Sequence, residues 1–187
     1  FRSKKEEVRI DTIQSSLGAF VLGDSLQPKE TLSILKRCKD VRLTIINKLK
    51  RKIADFDISK CSLDDMHGFL DEDETKLMDG TLKNRNYLKQ ALNILNERDL
   101  NHLEFGQLLT CHHKVLRDIL QVSTPKIEKM LNAALESGAL GGKINGSGGG
   151  GCMLAYAPHN TEFVVEAIER AGGRPYIIYQ AQGEQTK

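Results

Sequence analysis

Six small residues in a row, Gly146, Ser147, Gly148, Gly149, Gly150 and Gly151, constrain this chain more than any other feature. Each glycine loses more backbone entropy on folding than any other residue would, so a plain surface turn is a wasteful use of five of them. The run is also held between two apolar segments, residues 140–145 and 152–157, which both read as strands. A loop clamped in this way must let something come close to its backbone. Either successive N–H groups converge on an anion, or another piece of chain packs within contact distance. A flexible hairpin tip is the plainer reading, and the apolar strands at both ends argue against it. The string is not a Walker A loop, which ends in Gly-Lys-Ser/Thr. Nor is it a dinucleotide GxGxxG, which sits between a strand and a helix.

Around this loop helix and strand alternate. Residues 16–22, SLGAFVL, predict a buried strand with a turn at Gly23 and Asp24. Residues 27–52 predict a helix or a broken pair of helices, with Pro28 in the first turn and Leu32, Leu35, Cys38, Ile45, Leu49 and Ile53 at helical spacing. Its other face is basic, whereas residues 55–74 are acidic; such runs are ordinarily solvated faces, and these two can face each other. The acidic stretch is the most linker-like part of the chain and reads as a mobile loop.

Two helical stripes follow, one through Leu88, Ala91, Leu92 and Leu95, the other through Phe105, Leu108, Leu109, His112, Leu116 and Ile119. Adjacent helical residues point about 100° apart, so His112 and His113 are poorly placed to chelate one ion. The stripe predicts a buried, hydrogen-bonded His112 and an exposed His113. Thr124, Pro125 and Glu128 open the next helix as N-cap, first-turn proline and dipole-matched carboxylate, and Gly138 closes it. Asn160 caps another helix that Gly172 and Gly173 end, and Pro175 starts a last strand. The expected fold class is α+β, an antiparallel sheet covered by helices on one side. Residues 1–75 would hold the first strand, the basic helix and the acidic loop; residues 76–187 would hold the helical region and the unit with the glycine loop.

Composition narrows the partners. With 27 basic and 25 acidic residues among 187, the chain lacks the sustained positive field that a nucleic-acid or membrane-surface binder needs. No apolar run approaches the roughly 20 residues of a bilayer span, and the opening FRSKKEEVR holds no signal-peptide core, which gives an expectation of a cytoplasmic protein. Cys38, Cys61, Cys111 and Cys152 have neither paired spacing nor scaffold density and read as reduced thiols. No metal site is expected. The chain starts at Phe1 with charged residues running into an apolar segment, as a piece cut from a longer parent would.

The segment GGKINGSGGGGC, residues 141–152, resembles the third conserved motif of the GHMP kinases, the superfamily of galactokinases, homoserine kinases, mevalonate kinases and phosphomevalonate kinases. The resemblance continues upstream through HHKVLRDILQVSTPKIEKMLNAALESGALGGKI, which is similar to the galactokinase pattern, and more weakly to FVLGDSLQPKETL. It implies a ferredoxin-like GHMP kinase C-terminal domain with additional helices. It also implies phosphoryl transfer from ATP, with Mg²⁺, to a hydroxyl of a small metabolite, a sugar in the galactokinase-like reading and mevalonate in the alternative. Carried over by position, residues 146–151 are the substrate and phosphate-site loop, and Lys143, Asp24 and Ser25 are pocket neighbours. Lys143 suits packing as well as charge; Cys152 begins an apolar strand and reads as core.

The departures bear on function. Where galactokinases place a Tyr-Asn-x-Arg-Arg-like stretch, this chain reads LKRCKDVR. The family's N-terminal signatures are absent from these residues, and its catalytic aspartate would lie before Phe1. The resemblance therefore implies an N-terminal GHMP kinase domain as partner, no tight ATP binding by this chain alone and no catalysis without that partner. A non-catalytic small-molecule-binding or regulatory module with the same fold is the reading from another class. A structural subunit whose basic helix holds an acidic partner is a third.

Overall fold

Strand β1 (Ala19–Asp24) alternates buried and half-buried residues, so the sheet it belongs to has two unlike faces. In the computed structural model, which describes residues 13, 16–29, 34 and 36–180, β1 lies inside a four-stranded sheet. The other strands are β2 (Gly141–Ile144), β3 (Cys152–Tyr156) and β4 (Arg174–Tyr179), and every neighbouring pair is antiparallel in the order β2-β3-β1-β4. With one helix crossing between β1 and β2 and another between β3 and β4, this is the ferredoxin-like arrangement. Pro175 is tolerated in β4 because the strand is an edge, where a missing N–H breaks no ladder.

The crossing helices are α4 (Pro125–Glu136) and α5 (Thr161–Arg170). They cover the face that carries Val21, Met153 and Ala155 with Ile127, Met130, Leu131, Val164 and Ile168. Thr124 caps α4 by accepting the Ile127 N–H at 3.3 Å, and Gly138 follows the helix at φ +98°. Among the described residues, helices α1 (Val41–Lys52), α2 (Glu72–Leu95) and α3 (His102–Asp118) are inserted between β1 and α4.

Helix α3 lies along the outer edge of β2 rather than on a face. The Gly142 N–H donates to Thr110 Oγ1 at 3.3 Å and the Ile144 N–H to His113 Nδ1 at 3.2 Å, so helix side chains satisfy the edge amides. The approach is backbone to backbone, since a Cβ on Gly141 would stand inside the Gly106 carbonyl. Where α2 turns into α3, Ile94, Phe105 and Tyr156 form a further apolar cluster. Burial pushes the Tyr156 phenol up to about 12, so its O–H stays a donor, facing His102 Nδ1.

Several sequence expectations change here. Residues 27–29 are not helical, a π-helical turn (Lys36–Asp40) leads into α1, and residues 30–33 and 35, with Leu32 and Leu35, lie outside the described residues. The acidic stretch is not a linker. Phe56, Ile58, Cys61, Leu63, Met66 and Phe69 sit among its acids and pack on Ile45, Leu49, Met78 and Leu82, and Asp71 and Glu74 form a capping box that starts α2. Lys48 and Glu74 pair at 2.5 Å, so the basic and acidic runs do meet. Of the stripe through Leu88, Ala91, Leu92 and Leu95, Leu88 and Leu92 are exposed at 61% and 38%, while Ala91 and Leu95 pack against the cluster around Ile94; the buried residues of α2 are Met78, Gly80, Leu82 and Ile94.

Gly106→Ala tests the α3–β2 contact by sign. Helix propensity alone would make the change stabilising by about 1 kcal/mol. The new methyl would overlap the Leu140 carbonyl, so we expect a net loss of about 2 kcal/mol or more in urea denaturation.

Candidate functional site

Because β1 and β3 are antiparallel neighbours, the end of one meets the start of the other, and Asp24 pairs with Cys152. The segment leaving β1, residues 25–29, therefore emerges beside the loop of residues 146–151. Main-chain bonds lock them together. The Ser25 N–H donates to the Gly151 carbonyl at 2.8 Å, the Gly151 N–H to the Gln27 carbonyl at 3.3 Å, and the Gly149 N–H to the Val122 carbonyl at 2.7 Å. Gly146, Gly148, Gly149, Gly150 and Gly151 all have positive φ, from 71° to 111°. A Cβ on Gly148 would stand 2.5 Å from that of Val122, and one on Gly150 would stand 2.6 Å from the Pro28 oxygen. The loop is an ordered strand-to-strand connection pressed between two other segments.

The remaining groups at this end of the sheet follow from the same convergence. Asp24 Oδ1 accepts the Leu26 N–H at 2.9 Å, and the buried Ser25 accepts the Gln27 N–H on Oγ at 3.3 Å. Thr124 Oγ1 donates to Gln27 Oε1 at 2.9 Å, which ties the N-terminus of α4 to the same turn. Lys29 lies over the loop: its stem fills the space of a Gly151 Cβ, and Nζ is 2.9 Å from that point and 3.4 Å from the Gly146 equivalent. Burial raises the Cys152 thiol pKa, Asp24 raises it further and Lys29 opposes both.

Behind the loop, α3 and α4 share a polar cluster. His113 Nδ1 accepts from the Ile144 N–H, so the ring proton sits on Nε2 and is donated to Glu128 Oε1 at 2.8 Å. Burial lowers the His113 pKa more than the Glu128 carboxylate raises it, so the ring is neutral. Burial pushes Glu128 up, yet hydrogen bonds from Ser123, His113 and Arg117 bring it below the ordinary value. The cluster fixes the Val122-Ser123 bend, whose carbonyl holds Gly149.

Residues 88–174 match the family described as GHMP kinases C terminal. The segment is a GHMP kinase C-terminal domain. Within curated relatives, 81 residues are 44% identical to the mevalonate kinase of Thermococcus onnurineus, covering 43% of this chain and 24% of that protein. A stretch of 72 residues is 50% identical to the mevalonate kinase of Pyrococcus furiosus, covering 38% and 21%. A stretch of 67 residues is 34% identical to the galactokinase of Mycobacterium tuberculosis, covering 35% and 18%. Lactococcus lactis galactokinase complexed with galactose superposes with a TM-score of 0.72 at 19% identity, over 89% of this chain and 46% of that one. L. major mevalonate kinase in complex with R-mevalonate gives 0.56 at 18%, over 88% and 43%. At those identities the structures establish the fold, and the chain spans less than half the length of each.

The structure brings Asp24 and Ser25, which precede the matched segment, together with residues 146–151 inside it. Lys143 lies on β2, where its ammonium donates to the Ile144 carbonyl at 2.9 Å and burial lowers its pKa. The two histidines are reversed from the sequence expectation. His113 is buried and bonded, while His112 is half-buried; the helix turns its Gly106 and His113 side to β2, which shifts the buried arc by one residue. Lys29 escaped the sequence reading, and its only signal was its place just after the Asp24-Ser25 turn in a weakly resembling stretch.

Two predictions follow from the geometry. Gly148→Ala and Gly150→Ala combine left-handed strain with overlap and should each destabilise by about 2 to 4 kcal/mol in urea. Gly146→Ala meets nothing closer than 3.4 Å and should lose only about 1 to 2 kcal/mol. Burial first, then Lys143 and His113, push His112 down to about 4. Its folded pKa is thus below the unfolded value of about 6.5, and the unfolded chain binds the extra proton between them. Stability should be full above about pH 6.5 and decline as pH falls toward 4, with a shallower decline in His112→Gln.

Proposed function

We propose that this domain is the C-terminal half of an ATP-dependent kinase that phosphorylates a hydroxyl of a small metabolite, working with an N-terminal GHMP kinase domain. The observation that carries this reading is the ordered glycine loop, held by Val122 and by the turn after β1, inside the segment 88–174 that matches the GHMP kinases C-terminal family. Phosphoryl transfer relies on positioning and charge stabilisation more than on covalent chemistry, and a loop that cannot shift suits that task. In this reading residues 146–151 line the phosphate and acceptor site, with Asp24 and Ser25 holding the loop from below. ATP supplies the transferred group and Mg²⁺ neutralises its charge. Among the described residues no cluster of three His, Cys, Asp or Glu side chains is placed to hold a metal.

For the acceptor, mevalonate is supported by the higher identities, 44% and 50% against 34% for the galactokinase. A sugar acceptor is the second reading, supported by that galactokinase match and the motif resemblance upstream of the loop.

The test joins this chain to its N-terminal half and measures Mg²⁺-dependent ADP release with R-mevalonate, galactose and homoserine separately. The expected result is turnover with one acceptor, none from the 187-residue chain alone, and a drop of more than about tenfold in kcat/KM for Gly149→Val. No turnover from the joined protein with any acceptor would favour a non-catalytic binding module. Undiminished turnover in Gly149→Val would remove the loop from the site.

A further inference from the structure

Backbone amides orient an anion but carry no net charge, and at this loop the structure places an ammonium against the backbone of Gly151 and Gly146. We infer that Lys29 is the charged half of an anion site whose other half is the backbone of residues 146–151, and that its ligand is a phosphate group. The identity of that phosphate rests on the kinase reading; the site itself rests on geometry.

Three observations converge on Lys29. Its stem occupies the volume that any side chain at residue 151 would need, so the close approach exists because Gly151 has no Cβ. Its Nζ sits near both ends of the loop, Gly146 and Gly151. Among the described residues it takes part in no ion pair, whereas the neighbouring charges are occupied: Asp24 holds the Leu26 N–H and Lys143 the Ile144 carbonyl. The loop contributes direction as well. Among the described residues the amides of Gly146, Gly148 and Gly150 have no recorded acceptor, unlike those of Gly149 and Gly151. The N-terminus of α4, tied to the same turn by Thr124 and Gln27, adds partial positive charge nearby. A lysine on a flexible stem acts here as a point charge, as in other phosphate cradles.

The competing explanation is that Lys29 only covers the loop with its methylene stem while its ammonium stays in water. Methionine keeps the stem and removes the charge, and arginine keeps the charge, so the pair Lys29→Met and Lys29→Arg separates the two. With the complete protein, calorimetry should be run with pyrophosphate, ADP, 5-phosphomevalonate and galactose 1-phosphate, alongside unfolding midpoints. Lys29→Met should weaken pyrophosphate binding by about tenfold or more with an unchanged midpoint, and Lys29→Arg should retain most of it. Loss confined to ADP would place a nucleotide phosphate at Lys29, and loss confined to a phosphorylated acceptor would place the product there. Equal pyrophosphate affinity in wild type and Lys29→Met, or no binding by wild type, would overturn the site. The kinase reading is judged separately by turnover: Lys29-dependent pyrophosphate binding without turnover would sink that reading alone, and normal turnover by Lys29→Met would sink the Lys29 assignment alone.

Discussion

The hydrogen bond from the Gly149 amide to the Val122 carbonyl is the constraint on which the candidate site depends. It joins the β2–β3 connection to the start of α4, and the remaining contacts support one of its two ends. On the acceptor side, His113, Glu128, Ser123 and Arg117 hold the bend that presents the Val122 carbonyl. On the donor side, Gln27, Pro28 and Ser25 fix the loop so that the Gly149 amide faces its partner. A run of glycines is normally the most mobile part of a chain. Here it is enclosed on two sides, and the entropy lost on folding is offset by main-chain bonds that only residues without Cβ atoms can make.

The sequence disclosed those parts whose signal is local. The α4 helix was legible because Thr124, Pro125 and Gly138 mark its ends chemically, and the β2–loop–β3 unit because apolar runs bracket the glycines. Parts that depend on distant partners were not. The acidic stretch reads as a linker or mobile loop from its charge alone, yet Phe56, Met66 and Phe69 find their core on helices α1 and α2. The two histidines were reversed because α3 meets the edge of a strand rather than a sheet face, and a glycine contact, invisible to hydrophobic periodicity, sets which side turns inward.

The candidate site is visible in the sequence as a loop and a turn, since both sit in strings that resemble a known family. Lys29 is not, because a lysine in an exposed segment carries no periodic or motif signal of its own. Its position has meaning only once Gly151 is seen beneath it. Lys143, which the motif made prominent, directs its charge at a carbonyl on its own strand. Proximity along a motif and proximity in space differ here because β1, remote in sequence, is the strand that borders β3.

The lateral placement of α3 gives the sheet a direction of growth. Along β2, Thr110 and His113 occupy the outward amides of Gly142 and Ile144, and helix backbone touches strand backbone, so no further strand can be added on that side. Strand β4 closes the other side of the four-stranded order, and Tyr176, Ile177, Ile178 and Tyr179 on it are 41–69% exposed. Among the described residues the sheet is therefore terminated at one margin and has no partner on the other, and a further extended segment can continue it only by pairing with β4.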